Sequence, residues 1–124
     1  MKITSFNPMI ITANADDIIK TFEALGFERR HEKANIDDKT GSSVRMKDAD
    51  GFHVDIAQVD VIPQDMTAIK MNVRDFDEAY DFLTAHGFII VPGGKITDTG
   101  SSKSVMMVSP SGYAINVAYH FRER

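Results

Sequence analysis

Slid along itself by 61 residues, the sequence matches without a gap, which restricts the chain to folds built from one unit used twice. Asn14-Ala15-Asp16-Asp17 falls on Asp75-Phe76-Asp77-Glu78, and Ala24-Leu25-Gly26-Phe27 on Ala85-His86-Gly87-Phe88. The same shift carries Ser43-Val44-Arg45-Met46 to Ser104-Val105-Met106-Met107, and Gly51 through Ala57 to Gly112 through Ala118. Identities at Asp16, Ala24, Gly26, Phe27, Asp37, Ser43, Val44, Met46, Gly51 and Ala57 exceed the roughly four that random pairing gives. They cluster at caps, turns and apolar positions, which a duplicated structural unit must keep. The expected organisation is one domain, 1–124, made of two repeats, 1–61 and 62–124.

Each repeat reads as β-α-β-β-β. Asn14 and Asp75 stand at helix N-cap positions, with Asp17 and Glu78 three residues later as in a capping box. Ile18, Ile19 and Phe22, then Phe76, Ala79, Tyr80 and Leu83, follow the spacing of one buried helical face. Gly26 and Gly87 supply left-handed ends. A short strand precedes each helix (8–12 and 69–73), and three follow it (27–33, 42–47 and 52–58; 88–91, 103–108 and 113–119). Asp48-Ala49-Asp50-Gly51 and Ser109-Pro110-Ser111-Gly112 carry the turn chemistry for the last hairpin of each repeat. The stretch from Val59 to Met66, with Pro63, reads as the linker. Pro92 through Lys103 reads as a long hairpin loop, a lid being the alternative.

Composition narrows the function classes. With 14 Lys and Arg against 18 Asp and Glu the chain is mildly acidic and has no basic run to follow a phosphate backbone, so no nucleic acid partner is expected. The absence of cysteine excludes disulfides, thiolate metal sites and thiol nucleophiles, leaving His, carboxylate or amide groups as metal donors. No apolar run approaches the roughly 18 residues of a membrane span and no leader pattern opens the chain, so a soluble cytoplasmic protein is expected.

A strand, the acid-capped helix ending Ala24-Leu25-Gly26-Phe27 and the closing segment Asp50-Gly51-Phe52-His53-Val54-Asp55 together resemble the vicinal oxygen chelate superfamily, which includes glyoxalase I, extradiol dioxygenases and bleomycin-binding proteins. The resemblance implies an α+β, glyoxalase-like fold: two tandem βαβββ modules forming a curved mixed sheet around a cavity, helices outside. It also implies metal ligands on the first and last strands of each module. Carried over, those positions are Asn7, Asp55, Ala68 and Asn116. Alanine cannot ligate and asparagine offers only a neutral amide oxygen, so the expectation is no metal and no cofactor.

Strand alternation supplies a separate reading of the face away from the helices. If Ile69, Met71 and Val73 meet the helix, Lys70 and Asn72 point the other way. The same parity places Asn7, Met9, Ile11, Ser43, Arg45, His53, Asp55, Ser104, Met106 and Asn116 on that face. The plain reading is a solvated sheet surface. The functional reading is a small-molecule pocket for an anionic ligand, with Asn7, Arg45, Lys70, Asn72, Met106 and Asn116 as binding residues and Arg45 as the fork that grips a carboxylate or phosphate. His53 and Asp55, two apart on one strand, are candidates for a catalytic acid–base pair. His31, His86 and His120 read as surface histidines.

Three functions remain open on the sequence. The leading one is a metal-free small-molecule-binding protein. The second is a glyoxalase-like lyase, isomerase or dioxygenase with a degenerate metal site near Asp55, or using His53 and Asp55 directly. The third is an interaction module, with a homodimer as the candidate assembly.

Overall fold

The computed structural model describes residues 1–34 and 42–121, with backbone alone for 31–34 and 42. Asp37 and the His31 side chain therefore lie outside the described residues. The chain divides into two units, one of residues 7–67 and one of residues 1–6 with 68–124.

The unit of residues 7–67 contains most of β1 (Ile3–Thr12), α1 (Ala15–Ala24), β2 (Glu28–Ala34), β3 (Ser42–Lys47) and β4 (His53–Gln58). Its strands lie in the order β2-β3-β4-β1, antiparallel except for the parallel pair β1 and β4. A parallel pair needs a crossover connection, and the crossover contains α1. Period-2 alternation turns Val44, Met46, Val54 and Ile56 to one side, where they form a buried cluster with Ala15 and Ile19 of the helix. Phe22 and Phe27 meet edge to face at 5.3 Å beside it. Gly26, at φ +104°, adopts the left-handed conformation that closes the helix, and the Phe27 amide reaches back to the Phe22 carbonyl at 2.9 Å.

The second unit contains β5 (Met66–Val73, from Ala68 on), α2 (Phe76–Ala85), β6 (Ile89–Ile90), β7 (Thr97–Asp98), β8 (Ser102–Val108) and β9 (Ala114–His120). Its order is β5-β9-β8-β6, with β7 on β8 and β5 parallel to β9. Met71, Val73, Val105, Met107 and Val117 pack under Phe76, Ala79 and Leu83. The first residues of the chain are tied to this unit: the Arg74 amide donates to the Lys2 carbonyl at 3.0 Å, and the Met1 ammonium lies 3.3 Å from Glu78.

Both units use one pairing register, offset by 61 residues. Met9 pairs with Asp55 where Lys70 pairs with Asn116, and Arg45 pairs with Asp55 where Met106 pairs with Asn116. The hairpin turns match as well. Asp48 exchanges backbone bonds with Phe52 and Gly51, as Ser109 does with Tyr113 and Gly112.

Three local expectations need correction. Asn14 does not cap α1 with its side chain. Instead Gln58 Oε1 accepts the Ala15 amide at 2.9 Å, while Gln58 Nε2 donates to the carbonyls of Ala13 and Val59. Asp75 does cap α2, accepting the Glu78 amide at 3.1 Å. The first strand begins at Ile3 rather than at Pro8. Proline restricts the residue before it to extended conformations, so Pro8 is compatible with a strand continuing through it. The 92–103 loop holds a strand, β7, turned onto β8 by the Thr99 hydroxyl and Asp98 carboxylate, which accept the Ser102 and Gly100 amides. Among the described residues, no helix is long and apolar enough to cross a membrane.

Candidate functional site

The candidate site of the 7–67 unit is set by a turn. Asp48 Oδ1 accepts the amides of Asp50 and Phe52 at 3.0 and 2.9 Å, and this Asx turn fixes Asp48 opposite Phe52. Counting outward from it, Lys47 faces His53, Met46 faces Val54 and Arg45 faces Asp55. Val54 and Met46 belong to the core under α1, so Arg45 and Asp55 project from the other face of the sheet.

There Arg45 Nη1 lies 3.0 Å from Asp55 Oδ2, and Asn7 Nδ2 donates to the same oxygen at 2.9 Å. Asn7 Nδ2 also donates to the Pro8 carbonyl at 2.8 Å. Two acceptors therefore fix which end of the amide is nitrogen, and Asn7 Oδ1 is left buried without a hydrogen-bond partner among the described residues. The Asp55 side chain is 4% exposed and the Arg45 side chain 20%. A carboxylate so far out of water needs a positive or N–H partner, and it has both. Of the five N–H donors of Arg45, the structure directs Nη1 at Asp55, and the side chain as a whole remains partly exposed.

Three of the expected site residues, Asn7, Arg45 and Asp55, thus come together. His53 does not join them, since no hydrogen bond or ion pair links it to Asp55. Its imidazole is held below its ordinary value of 6.5, first by burial and then by the Arg45 and Lys47 charges, with Asp55 acting in the opposite sense. Asp55 is thus paired with the guanidinium opposite it and not with the histidine on its own strand. The turn at Asp48 was the signal for this, because its register decides the cross-strand pair.

In the second unit, Lys70 and Met106 are both register partners of Asn116, and Asn72 pairs with Ala118. These residues alternate with Met71, Val105 and Val117, which pack under α2, so they share the opposite face of their own sheet. Asn72 is buried, and its Oδ1 has no partner among the described residues. A groove of about 420 Å³ also opens at the start of α2, lined by Arg74, Phe76, Asp77, Lys103, Tyr119 and Phe121 among others. Lys103 Nζ sits 5.0 Å from the Phe76 ring centre and 3.7 Å from Asp77 there. Nothing in the sequence marks this groove, because its residues come from three stretches far apart in the chain, 74–77, 98–103 and 119–121.

The metal implied by the resemblance does not fit the residues present. Asp55 is the single carboxylate among the four carried-over positions, its Oδ2 is occupied by two N–H donors, and one of those donors is a guanidinium whose charge opposes a second cation. Among the described residues, no three His, Asp or Glu side chains come together as a metal-binding group.

No family model matches the chain, and no curated protein matches it at a significant level. Solved structures do. A methylmalonyl-CoA epimerase from Mycobacterium tuberculosis matches with TM-score 0.67 and 15% identity, over 95% of this chain and 89% of that one. A glyoxalase/bleomycin resistance/dioxygenase superfamily member from Vibrio splendidus 12B01 matches with TM-score 0.59 and 16% identity, over 93% and 97%. A glyoxalase I variant from Zea mays matches with TM-score 0.69 and 14% identity, over 98% of this chain and 44% of its own length. At such identities the likeness is one of fold: the chain has the α+β, glyoxalase-like fold found in the glyoxalase/bleomycin resistance/dioxygenase superfamily.

Proposed function

We propose that the protein binds an anionic small molecule through Arg45, on the polar sheet face of the 7–67 unit, with no metal taking part. The observation that supports this reading is the Arg45 side chain, its guanidinium anchored by a nearly buried carboxylate while the side chain stays partly exposed. A guanidinium fixed at one end has little rotamer freedom left to lose when its other donors engage a carboxylate or phosphate, and such charge-assisted pairs are among the stronger hydrogen bonds. Asn7 and Asp55 position it. In the second unit, the proposal extends to Lys70, Asn72, Met106 and Asn116 as ligand-binding residues on their own sheet face.

The test is a thermal-shift and calorimetric panel pairing carboxylates and phosphate esters with neutral analogues of equal size. Anions are expected to raise the melting temperature of the wild type, and Arg45→Gln is expected to abolish the rise. A panel in which no anion distinguishes the two proteins would remove the reading.

An enzymatic reading has one supporting feature: burial and the Arg45 and Lys47 charges favour the neutral form of the His53 imidazole, the form a proton acceptor takes. Turnover that survives His53→Ala would exclude His53 as the base.

A further inference from the structure

A carboxylate buried as deeply as Asp55 must have its charge balanced locally, because removing it from water without a partner costs several kcal/mol. The balance on this sheet face could come from a bound cation or from the chain itself. We propose that Arg45 is the resident cation of this site: it occupies Oδ2 of Asp55, so the chain itself supplies the positive charge that a metal ion would otherwise bring.

Geometry supports this first. Arg45 Nη1 and Asn7 Nδ2 converge on the same oxygen, Asp55 Oδ2, at 3.0 and 2.9 Å. A transition metal bonds carboxylate oxygen at about 2.0–2.2 Å and at Oδ2 would have to displace these donors. Neither donor nitrogen can turn into a ligand. Guanidinium keeps its proton at any ordinary pH and offers no lone pair, and the Asn7 nitrogen is held by a second acceptor, the Pro8 carbonyl.

The second unit supplies the internal control. Its register equivalents of Asp55 and Arg45 are Asn116 and Met106, so the unit without the carboxylate also lacks the guanidinium. Asp55 and Arg45 behave as one paired element, not as a ligand with an incidental neighbour.

The experiment uses the full chain, stripped with chelator, and Co²⁺ as the probe, followed by visible absorption and by melting temperature. Wild type and Asp55→Asn are expected to respond identically, showing no Asp55-dependent Co²⁺ binding. Arg45→Ala is expected to melt lower than wild type, and millimolar methylguanidinium is expected to restore part of the loss. That restoration should vanish in Arg45→Ala/Asp55→Asn, where no carboxylate awaits a cation. Co²⁺ binding to wild type that disappears in Asp55→Asn would overturn the proposal, as would methylguanidinium acting equally on the single and double variants. If Arg45→Ala does not fold, Arg45→Lys replaces it: this variant keeps the charge and is expected to melt near wild type without binding Co²⁺, and Co²⁺ binding would again overturn the idea. Failure of the anion panel would remove the proposed function and leave this inference intact.

Discussion

The two units share a build and a register, yet their polar faces differ in kind. In the 7–67 unit the residues paired in the middle of the sheet are Arg45 and Asp55, a buried ion pair held by Asn7. In the other unit the same register positions hold Met106 and Asn116, with Ala68 in the place of Asn7. On the opposite faces the difference nearly disappears: Met46 and Met107, both fully buried, occupy equivalent places under their helices. A single backbone plan therefore tolerates either a charged or a neutral centre on one face while demanding apolar filling on the other. Close packing constrains the helix-facing side, and only charge balance constrains the other.

Exchanging the centres tests this most directly. Arg45→Met, which copies the second unit at one position, leaves Asp55 buried without its cation. It is expected to cost about 3 kcal/mol in denaturant unfolding, the low end of the range for breaking a buried pair because Arg45 is partly accessible. Adding Asp55→Asn copies the second unit at both paired positions and should recover most of that loss, since both charges are then gone. A double variant as unstable as the single one would break the comparison.

Core truncation should show the opposite pattern, with both units responding alike. Met46→Ala and Met107→Ala are each expected to cost about 2–5 kcal/mol, and values far apart would mean that the two cores relax differently around a cavity. The helix starts give smaller effects that sharpen the contrast. Gln58→Ala and Asp75→Ala should each destabilise by about 0.5–2 kcal/mol, while Asn14→Ala should change stability only slightly. The smallest effect concerns pH. Because the folded protein holds His53 below 6.5, protonation favours the unfolded chain; the stability that the neutral imidazole permits is present above pH 6.5 and is lost as pH falls below it. Between about pH 7 and about pH 5, wild type should lose more stability than His53→Gln.

Much of this fold could be read in the sequence because the signals were local. Asp75, the two closing glycines and the alternating runs Val44–Met46 and Val105–Met107 each act within a few residues, and the structure places them as their chemistry suggests. What could not be read involved distant partners. The cap of α1 comes from Gln58, 43 residues beyond the amide it holds, while Asn14, the better cap by type, is turned to a backbone conformation that leaves its side chain unused. In the candidate site, alternation brought Asn7, Arg45 and Asp55 to one face. The choice of Arg45 over His53 as the partner of Asp55 depended on counting register from the turn.

The Gln58 clamp makes the start of α1 dependent on a strand made much later in the chain. The cap of α2 closes a loop of three residues, so its first turn can form as soon as that segment exists, whereas the first turn of α1 must wait until β4 has docked beside β1. The two helices should therefore acquire protection at different times during refolding. In pulse-labelling hydrogen exchange, the Glu78 amide is expected to become protected early, and the Ala15 amide only together with the amides of β4. The Ala15 amide would then act as a clock for the closing of the crossover.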